Sequence, residues 1–350
     1  MVKEKQLKIL AIETSCDETA TAVLKFSRGK VEILSNIVSS QIDIHKKYGG
    51  VVPEVAARHH VENILPVTSE SLARSGLRPV EIDLLAVTSG PGLVTSLTIG
   101  VETARALSLA WQKPLLAVNH MYAHIAGNFL QPISFPAVCL VVSGGHTEII
   151  YLKDYWQFKK IGQTVDDAAG EAFDKVAKLL NLGYPGGPAV SATAEKFSIQ
   201  NFQFTKKIEL PRPMIKADNF DFSFSGLKTA VLYAVKKMPS KEKEKRTAEV
   251  CWEFQEAAIE VLTTKTIKAA KKYGVKTVLL AGGVAANKRL RESLKAAAEQ
   301  VGYDFLVPEF KLCTDNAAMV GLAAGFLAKK QKVKLDNWKK IKADPNWELV

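Results

Sequence analysis

Leu7-Lys8-Ile9-Leu10-Ala11-Ile12-Glu13 and Ala20-Thr21-Ala22-Val23-Leu24-Lys25-Phe26 are two apolar runs of strand length, held apart by Thr14-Ser15-Cys16-Asp17-Glu18-Thr19. Together they predict a β-hairpin whose turn is packed with hydroxyls and carboxylates. The same unit returns downstream, as a run over residues 137–142, the turn Ser143-Gly144-Gly145-His146, and a second run over residues 147–152. A β-turn-β unit met twice predicts two related halves, each opening with a hairpin whose tip faces a shared cleft. Working outward, residues 31–38 offer a third strand, and Gly49-Gly50 breaks the pattern before a helix over about residues 54–73, which Pro66 should kink. A buried strand over residues 83–89, a helix over 95–111 and a strand over 115–119 complete the first half. In the second half, residues 166–180 read as a helix, 189–273 as mostly helical, and 277–280 and 305–308 as strands. The charged run over residues 236–246, which contains Pro239, reads as an exposed connection. The fold class is therefore α/β. The expected lobes are residues 1–132 and 133–350, with a mostly helical insertion around 189–275 in the second.

With 350 residues, 47% of them apolar, the chain can bury two cores of ordinary size. That composition excludes a disordered or fibrous protein. No apolar run reaches the ~18 residues of a membrane span, and Met1-Val2-Lys3-Glu4-Lys5 lacks the apolar core of a signal peptide, so no membrane partner and a cytoplasmic location are expected. Cys16, Cys139, Cys251 and Cys313 lie far apart, which indicates neither a disulfide framework nor a cysteine zinc site. A formal net charge of +11 favours an anionic partner, because basic surface gains affinity for phosphate backbones by releasing counterions.

Chemistry concentrates in Asn119-His120-Met121-Tyr122-Ala123-His124. On a helix, His120 and His124 stand one turn apart on one face, so two imidazoles can converge on one metal ion. His59 and His60 are adjacent, point about 100° apart, and are not read as joint ligands. Asp315, before an Ala-rich helix, reads either as an N-cap or as the third ligand of a site with open coordination positions. Asp167, Glu171 and Asp174 would share one face of the 166–180 helix, most simply a solvated one. Gly90-Pro91-Gly92, between a strand and a helix start, marks a place where an anion could sit. In Ala281-Gly282-Gly283-Val284-Ala285-Ala286-Asn287 the glycines let backbone amides face a ligand, and the Asn287 amide, both donor and acceptor, suits a nucleotide. Trp338 and Trp347 of the lysine-rich tail are expected to dock onto the body.

Both hairpin turns, the two-histidine helix, Tyr184-Pro185-Gly186-Gly187-Pro188, Phe222-Ser223-Phe224-Ser225-Gly226-Leu227-Lys228, Ala281-Gly282-Gly283-Val284 and Cys313-Thr314-Asp315-Asn316 form an ordered set. That set resembles the universal tRNA threonylcarbamoyladenosine transferase family, long misnamed O-sialoglycoprotein endopeptidase, over about residues 7–330. Asp166-Asp167-Ala168-Ala169-Gly170-Glu171-Ala172-Phe173-Asp174-Lys175 resembles the bacterial and mitochondrial branch. The resemblance implies an actin, hexokinase and sugar-kinase (ASKHA) fold of two duplicated lobes around a central cleft. It also implies a reaction in which threonylcarbamoyl-adenylate donates its acyl group to the exocyclic amine of the adenosine 3′ of the anticodon, in tRNAs reading A-starting codons, with release of AMP. His120, His124 and Asp315 match the family's ligands for one divalent metal ion per subunit, iron or zinc. Val141, Val142, Ser143, Gly144, Gly145, Asp174, Gly187 and Asn287 match its nucleotide-substrate contacts, and Ser191 falls where many members carry Asp. Apart from the resemblance, Glu13, Asp17 and His146 are candidates for taking the amine proton, with the departing phosphate as the alternative. Implied partners are tRNA, threonylcarbamoyl-adenylate, a catalytically inactive paralogous subunit and a small ATPase.

Three other readings compete. A zinc metallopeptidase needs a glutamate after the first histidine, where Met121 stands. A sugar kinase or ATPase of the same fold gives the histidines no work. A tRNA-binding scaffold would make the metal structural.

Overall fold

Both expected hairpins form, and each seeds a five-stranded sheet. The computed structural model describes residues 6–27, 29–200 and 207–349, and the chain divides into two units, Met1–Pro132 with Pro308–Val350, and Ile133–Val307. The first unit opens with β1 (Leu7–Glu13), β2 (Glu18–Ser27), β3 (Lys30–Ser40), α1 (Ile42–His45) and α2 (Pro53–Ser75). It continues with β4 (Leu84–Gly90), α3 (Val94–Trp111), β5 (Leu115–Asn119) and α4 (His120–Ala126). The second unit holds β6 (Ala137–Val142), β7 (Thr147–Leu152), β8 (Phe158–Gln163), α5 (Ala169–Leu179), α6 (Gly186–Gln200), α7 (Ser225–Lys236), α8 (Ser240–Tyr273), β9 (Thr277–Ala281), α9 (Lys288–Gln300) and β10 (Asp304–Leu306). The last helix, α10 (Ala317–Lys330), belongs to the first unit.

The sheets run in the orders β3-β2-β1-β4-β5 and β10-β9-β6-β7-β8, one topology written twice. In each, the hairpin strand pairs antiparallel on one side and parallel on the other: β1 with β2 and β4, β6 with β7 and β9. The irregularities correspond too, since register shifts fall between Val23 and Leu24 against β3 and between Ile149 and Ile150 against β8. The central strands explain the continuous apolar runs: β4, β6 and β9 are buried along their whole length, as strands covered on both faces must be.

Several expectations shift. The sequence reading carries the second lobe to residue 350, whereas Pro308–Val350 packs with the first unit. The cause is α10, whose residues from Ala317 to Phe326 are all buried. Gly321 and Gly325 lie so close to β2 that an added Cβ would sit 2.2 Å from Leu24 Cδ1 and 2.0 Å from Phe26 Cζ respectively. Helix α5 starts at Ala169, so Asp167 precedes the helix instead of sharing its face. Residues 240–246 are not a loop but the first turns of α8, with Pro239 at its N-cap. Pro66 sits inside a continuous α2. β8, unread in the sequence, is a polar strand at a sheet edge with only Gly162 buried. Of the 189–275 stretch, residues 201–206 lie outside those described; the rest carries most of α6 with all of α7 and α8.

The tail docks as expected. Trp338 and Ile341 join the core cluster of Leu10, Val87, Val101 and Leu115. It also fills the Gly90-Pro91-Gly92 turn marked as an anion seat: Gly92 N donates to Pro345 O at 3.4 Å, and a Cβ on Gly90 would lie 1.8 Å from Asp344 O. Because α10 meets β2 through glycine, Gly325→Val should overpack this contact and lower unfolding free energy by about 1–3 kcal/mol in urea titration.

Candidate functional site

Strand β5 ends at Asn119, and this residue starts the next helix as well. Its Oδ1 accepts from Met121 N at 2.9 Å and Tyr122 N at 3.2 Å, an N-cap that places His120 at the first helical position. His124 follows one turn later on the same face. The two rings lie 4.5 Å apart between centroids, and their Nε2 atoms are 3.1 Å from one another. Asp315 Oδ1 closes the triangle, 3.5 Å from His120 Nε2 and 3.2 Å from His124 Nε2. An ion about 2.0–2.1 Å from each of three ligand atoms requires them to stand roughly 2.9–3.4 Å apart, so the donor set fits a single ion. Among the described residues this is the His, Cys, Asp and Glu cluster arranged to hold one.

The helix cap is made by the neighbour of Asp315. Asn316 Oδ1 accepts from Met319 N at 3.1 Å and caps α10, so of the two readings open for Asp315 the N-cap falls to Asn316.

Behind His120 lies a network that the sequence did not show. Glu13, fully buried at the end of β1, places Oε2 3.1 Å from His120 Nδ1 and 2.6 Å from Thr88 Oγ1, and its Oε1 accepts from Ser15 N at 2.5 Å. Ser15 Oγ is 3.2 Å from the same Nδ1. With Nδ1–H turned to the carboxylate, the Nε2 lone pair faces Asp315 and His124, the carboxylate–histidine arrangement that orients metal ligands. Burial pushes His120 down, but the Asp315 and Glu13 carboxylates outweigh it and raise the imidazole to about 9, so a metal ion would bind Nε2 by displacing its proton. Burial pushes Glu13 up, and the charge and hydrogen bond of His120 outweigh that in turn, holding the carboxyl low. Burial and the His120 charge lower His124. Ser15 and Thr88 were missed because nothing in their local sequence indicates that β1, β4 and α4 meet.

The remaining acids of the first turn are desolvated. Burial raises Asp17, and it pushes Glu18 up to about 8 although Ser40 Oγ donates to its Oε1 at 2.8 Å. Glu18 is thus largely the neutral acid at pH 7.

In the second unit, Val141 and Val142 are fully buried side chains of β6, which leaves only their backbone to meet a ligand. Space is open beside Gly144, Gly145, Gly187 and Gly283, where an added Cβ would meet nothing within 4 Å. His146 N donates to Ser143 Oγ at 3.1 Å, closing the second hairpin turn. Asn287 is more engaged than the sequence suggests: its Oδ1 caps α9 by accepting from Leu290 N at 2.9 Å, and Nδ2 donates to Ser191 Oγ at 2.9 Å and Gln255 Oε1 at 3.0 Å. Asp174 Oδ1 accepts from Gly186 N at 2.7 Å, pinning the glycine-proline turn to α5. Two acids ahead of α5, Asp166 and Asp167, tie the Phe222–Lys228 motif down. Asp166 accepts from Phe224 N at 2.8 Å and Ser225 N at 3.2 Å at the start of α7, and Asp167 bridges Lys175 at 2.8 Å and Lys228 at 3.0 Å.

Two measurements follow from this geometry. By elemental analysis, His124→Ala should lose nearly all bound metal, and Glu13→Gln, which keeps the shape but not the charge behind His120, should weaken metal affinity by about 10–100-fold. Glu18 has a folded-state pKa above its unfolded value, so it takes stability away as pH rises from about 4.5 through 8. Glu18→Gln should therefore raise the melting temperature relative to the parent at pH 8.5, with the gain shrinking toward pH 5.

The comparisons agree with this architecture. A family model described as TsaD, tRNA N6-adenosine threonylcarbamoyltransferase, matches residues 32–322. A relative of that name from Bacillus subtilis is 50% identical over 330 residues, covering 94% of this chain and 92% of its own. One from Kosmotoga olearia is 50% identical over 327 residues, covering 93% and 94%. Among solved structures, HypF of T. kodakarensis shares the fold with a TM-score of 0.61 at 18% identity, over 94% of this chain and 48% of its own. Component A of the Acidaminococcus fermentans (R)-2-hydroxyglutaryl-CoA dehydratase does so with a TM-score of 0.51 at 15% identity, over 93% and 98%. These likenesses place the duplicated sheets in the actin, hexokinase and sugar-kinase class. With the family model spanning both units and half of all residues shared with relatives along nearly the whole chain, this chain belongs to the TsaD family of tRNA N6-adenosine threonylcarbamoyltransferases.

Proposed function

We propose that this protein transfers the threonylcarbamoyl group of threonylcarbamoyl-adenylate to the exocyclic amine of the adenosine 3′ of the anticodon in tRNAs reading A-starting codons. The observation that carries the reading is the convergence of His120 Nε2, His124 Nε2 and Asp315 Oδ1 within a chain of this family. The amine nitrogen attacks the carbamoyl carbon, the bond from that carbon to the phosphate oxygen breaks, and AMP leaves while the nitrogen gives up a proton. Bound by the three side chains, an iron or zinc ion would supply Lewis-acid polarisation of the carbonyl and a fixed anchor for the threonyl group.

The chain's own residues do the rest. Glu13 holds the Nδ1 proton of His120, so it positions a ligand. With both oxygens engaged in the core, it is not the group that receives the amine proton. That task falls to Asp17 or His146, or to the departing phosphate, since an amine on a purine ring is weakly basic and releases its proton late. Gly144, Gly145, Gly187 and Gly283 present unobstructed backbone to the adenylate, whose phosphate is the leaving group. Asp174 and Asn287 hold the turns that carry or flank these glycines, and Ser191 steadies the Asn287 amide.

A peptidase reading finds no general base, because the position after His120 is Met121, only 2% exposed. A catalytically inactive paralogous subunit and a small ATPase complete the assembly we propose. The setting is cytoplasmic; no helix among the described residues is long and apolar enough to cross a membrane.

Single-turnover transfer from labelled threonylcarbamoyl-adenylate to an unmodified tRNA, with the partner proteins present, tests this. Wild type should label the tRNA and His124→Ala at least about a hundredfold less. Unlabelled tRNA alongside peptide cleavage or ATP turnover would reject the transferase reading, and an unimpaired variant would remove the metal from the chemistry.

A further inference from the structure

The positive charge of this protein is not spread evenly. Several lysines and arginines on the helices face a carboxylate one turn away, as in Arg246 with Glu242, Lys288 with Glu292 and Lys295 with Glu299. The stretch over residues 329–342 is different: it carries seven lysines against the single acid Asp336. All seven lysines are exposed, and none has an ion-pair partner among the described residues, where the neighbouring Lys8 and Arg105 pair with Glu81 and Glu102.

An unpaired lysine run is often a mobile, solvated tail, but this one is fixed. Trp338 and Ile341 pack into the core of the first unit, and Arg105 lies over the Trp338 ring at 5.9 Å. Asn337 Nδ2 donates to Leu115 O at 2.9 Å, at the start of β5. Further on, Asp344 N donates to Ser89 O at 2.7 Å, and Asn119 Nδ2 donates to Trp347 O at 2.9 Å, at the end of β5. The tail therefore follows the edge strand β5 in the strand's own direction, over roughly 13 Å at about 3.3 Å per residue. Lys339, Lys340 and Lys342 lie between these anchors, and the strand they follow ends at Asn119, the residue before the metal-site His120.

A row of like charges held close together on a rigid support is costly unless an anion of matching form lies against it, and a polyphosphate backbone has that form. We propose that this lysine strap is a tRNA-binding surface, taking the ribose-phosphate backbone of the substrate tRNA along the β5 edge toward the metal site. The inference rests on the transferase reading. The strap reads no bases: its lysines are point charges that position the RNA, and recognition of the target adenosine belongs to the site itself.

The test is binding of an unmodified tRNA transcript to the full chain, with its partner proteins present, across a salt series. It compares wild type with the triple variant Lys339→Gln/Lys340→Gln/Lys342→Gln, and threonylcarbamoyl transfer is followed in parallel. The variant should bind tRNA about tenfold or more weakly at low salt, with the difference closing at high salt. Its log-log salt slope should fall by about 1–3, because each lost phosphate contact removes about one unit. Affinity for threonylcarbamoyl-adenylate should not change, and the corresponding triple arginine variant should restore tRNA binding. Equal tRNA affinity and slope in the variant, while wild type still modifies tRNA, would overturn the strap and leave the transferase reading standing. If the variant kept its tRNA affinity but no longer co-eluted with the paralogous subunit, the strap would be a protein-docking surface and the proposal would fail. A wild type that neither binds nor modifies tRNA would remove both.

Discussion

Glu13 and His120 meet inside the core of the first unit, and the geometry of the candidate metal site depends on that meeting. A charged carboxylate with no exposed surface is tolerable only when its oxygens are all engaged, and Ser15, Thr88 and His120 engage them. The same bond fixes the imidazole tautomer. Without it, His120 could turn its protonated nitrogen toward Asp315 and His124, and a donor set for a metal would become an ordinary hydrogen-bonded cluster. The three elements that must come together for this are β1, β4 and α4. Their common position is set by the parallel pairing of β1 with β4 and of β4 with β5, and by the Asn119 cap that ends β5.

Close approach made possible by glycine supports the same arrangement from outside. Gly100 of α3 leaves no room for a Cβ, which would stand 2.2 Å from Thr14 Oγ1, so the helix rests directly on the turn that carries Ser15. On the opposite strand of the hairpin, Gly321 and Gly325 bring α10 down onto β2, and the start of α10 carries Asn316 with Asp315 just before it. Segments about 300 residues apart in sequence thus deliver Glu13 and Asp315 to two sides of one imidazole. The tail closes the unit by covering the edge of β5, which would otherwise present unpaired backbone groups.

Much of this was legible in the residues. Apolar runs bounded by polar turns identified the paired hairpins, and the equal strand orders of the two sheets bear out the duplication. The i, i+4 histidines pointed to one face of a helix, which they occupy. Ambiguities and errors came where a local rule admitted a competitor. Asp315 and Asn316 are both good caps, and only packing decides which one faces the core. Asp167 fitted a helical stripe by spacing, yet its salt bridges to Lys175 and Lys228 hold it ahead of α5. Pro239 suggested a loop in a charged run, although proline at a helix N-cap is as compatible with a start as with a break.

Periodicity, turn chemistry and motif order, all short-range properties of the chain, therefore determined the fold class, the repeat and the three residues of the candidate metal site. Which side chains stand behind those residues, where the second unit ends, and what occupies the Gly90-Pro91-Gly92 turn were decided by tertiary structure alone. Each depends on contacts between segments tens to hundreds of residues apart, as between Glu13 and His120, Leu24 and Gly321, or Gly92 and Pro345. No local pattern encodes such a distance, because it is the burial of two apolar faces against each other that sets it.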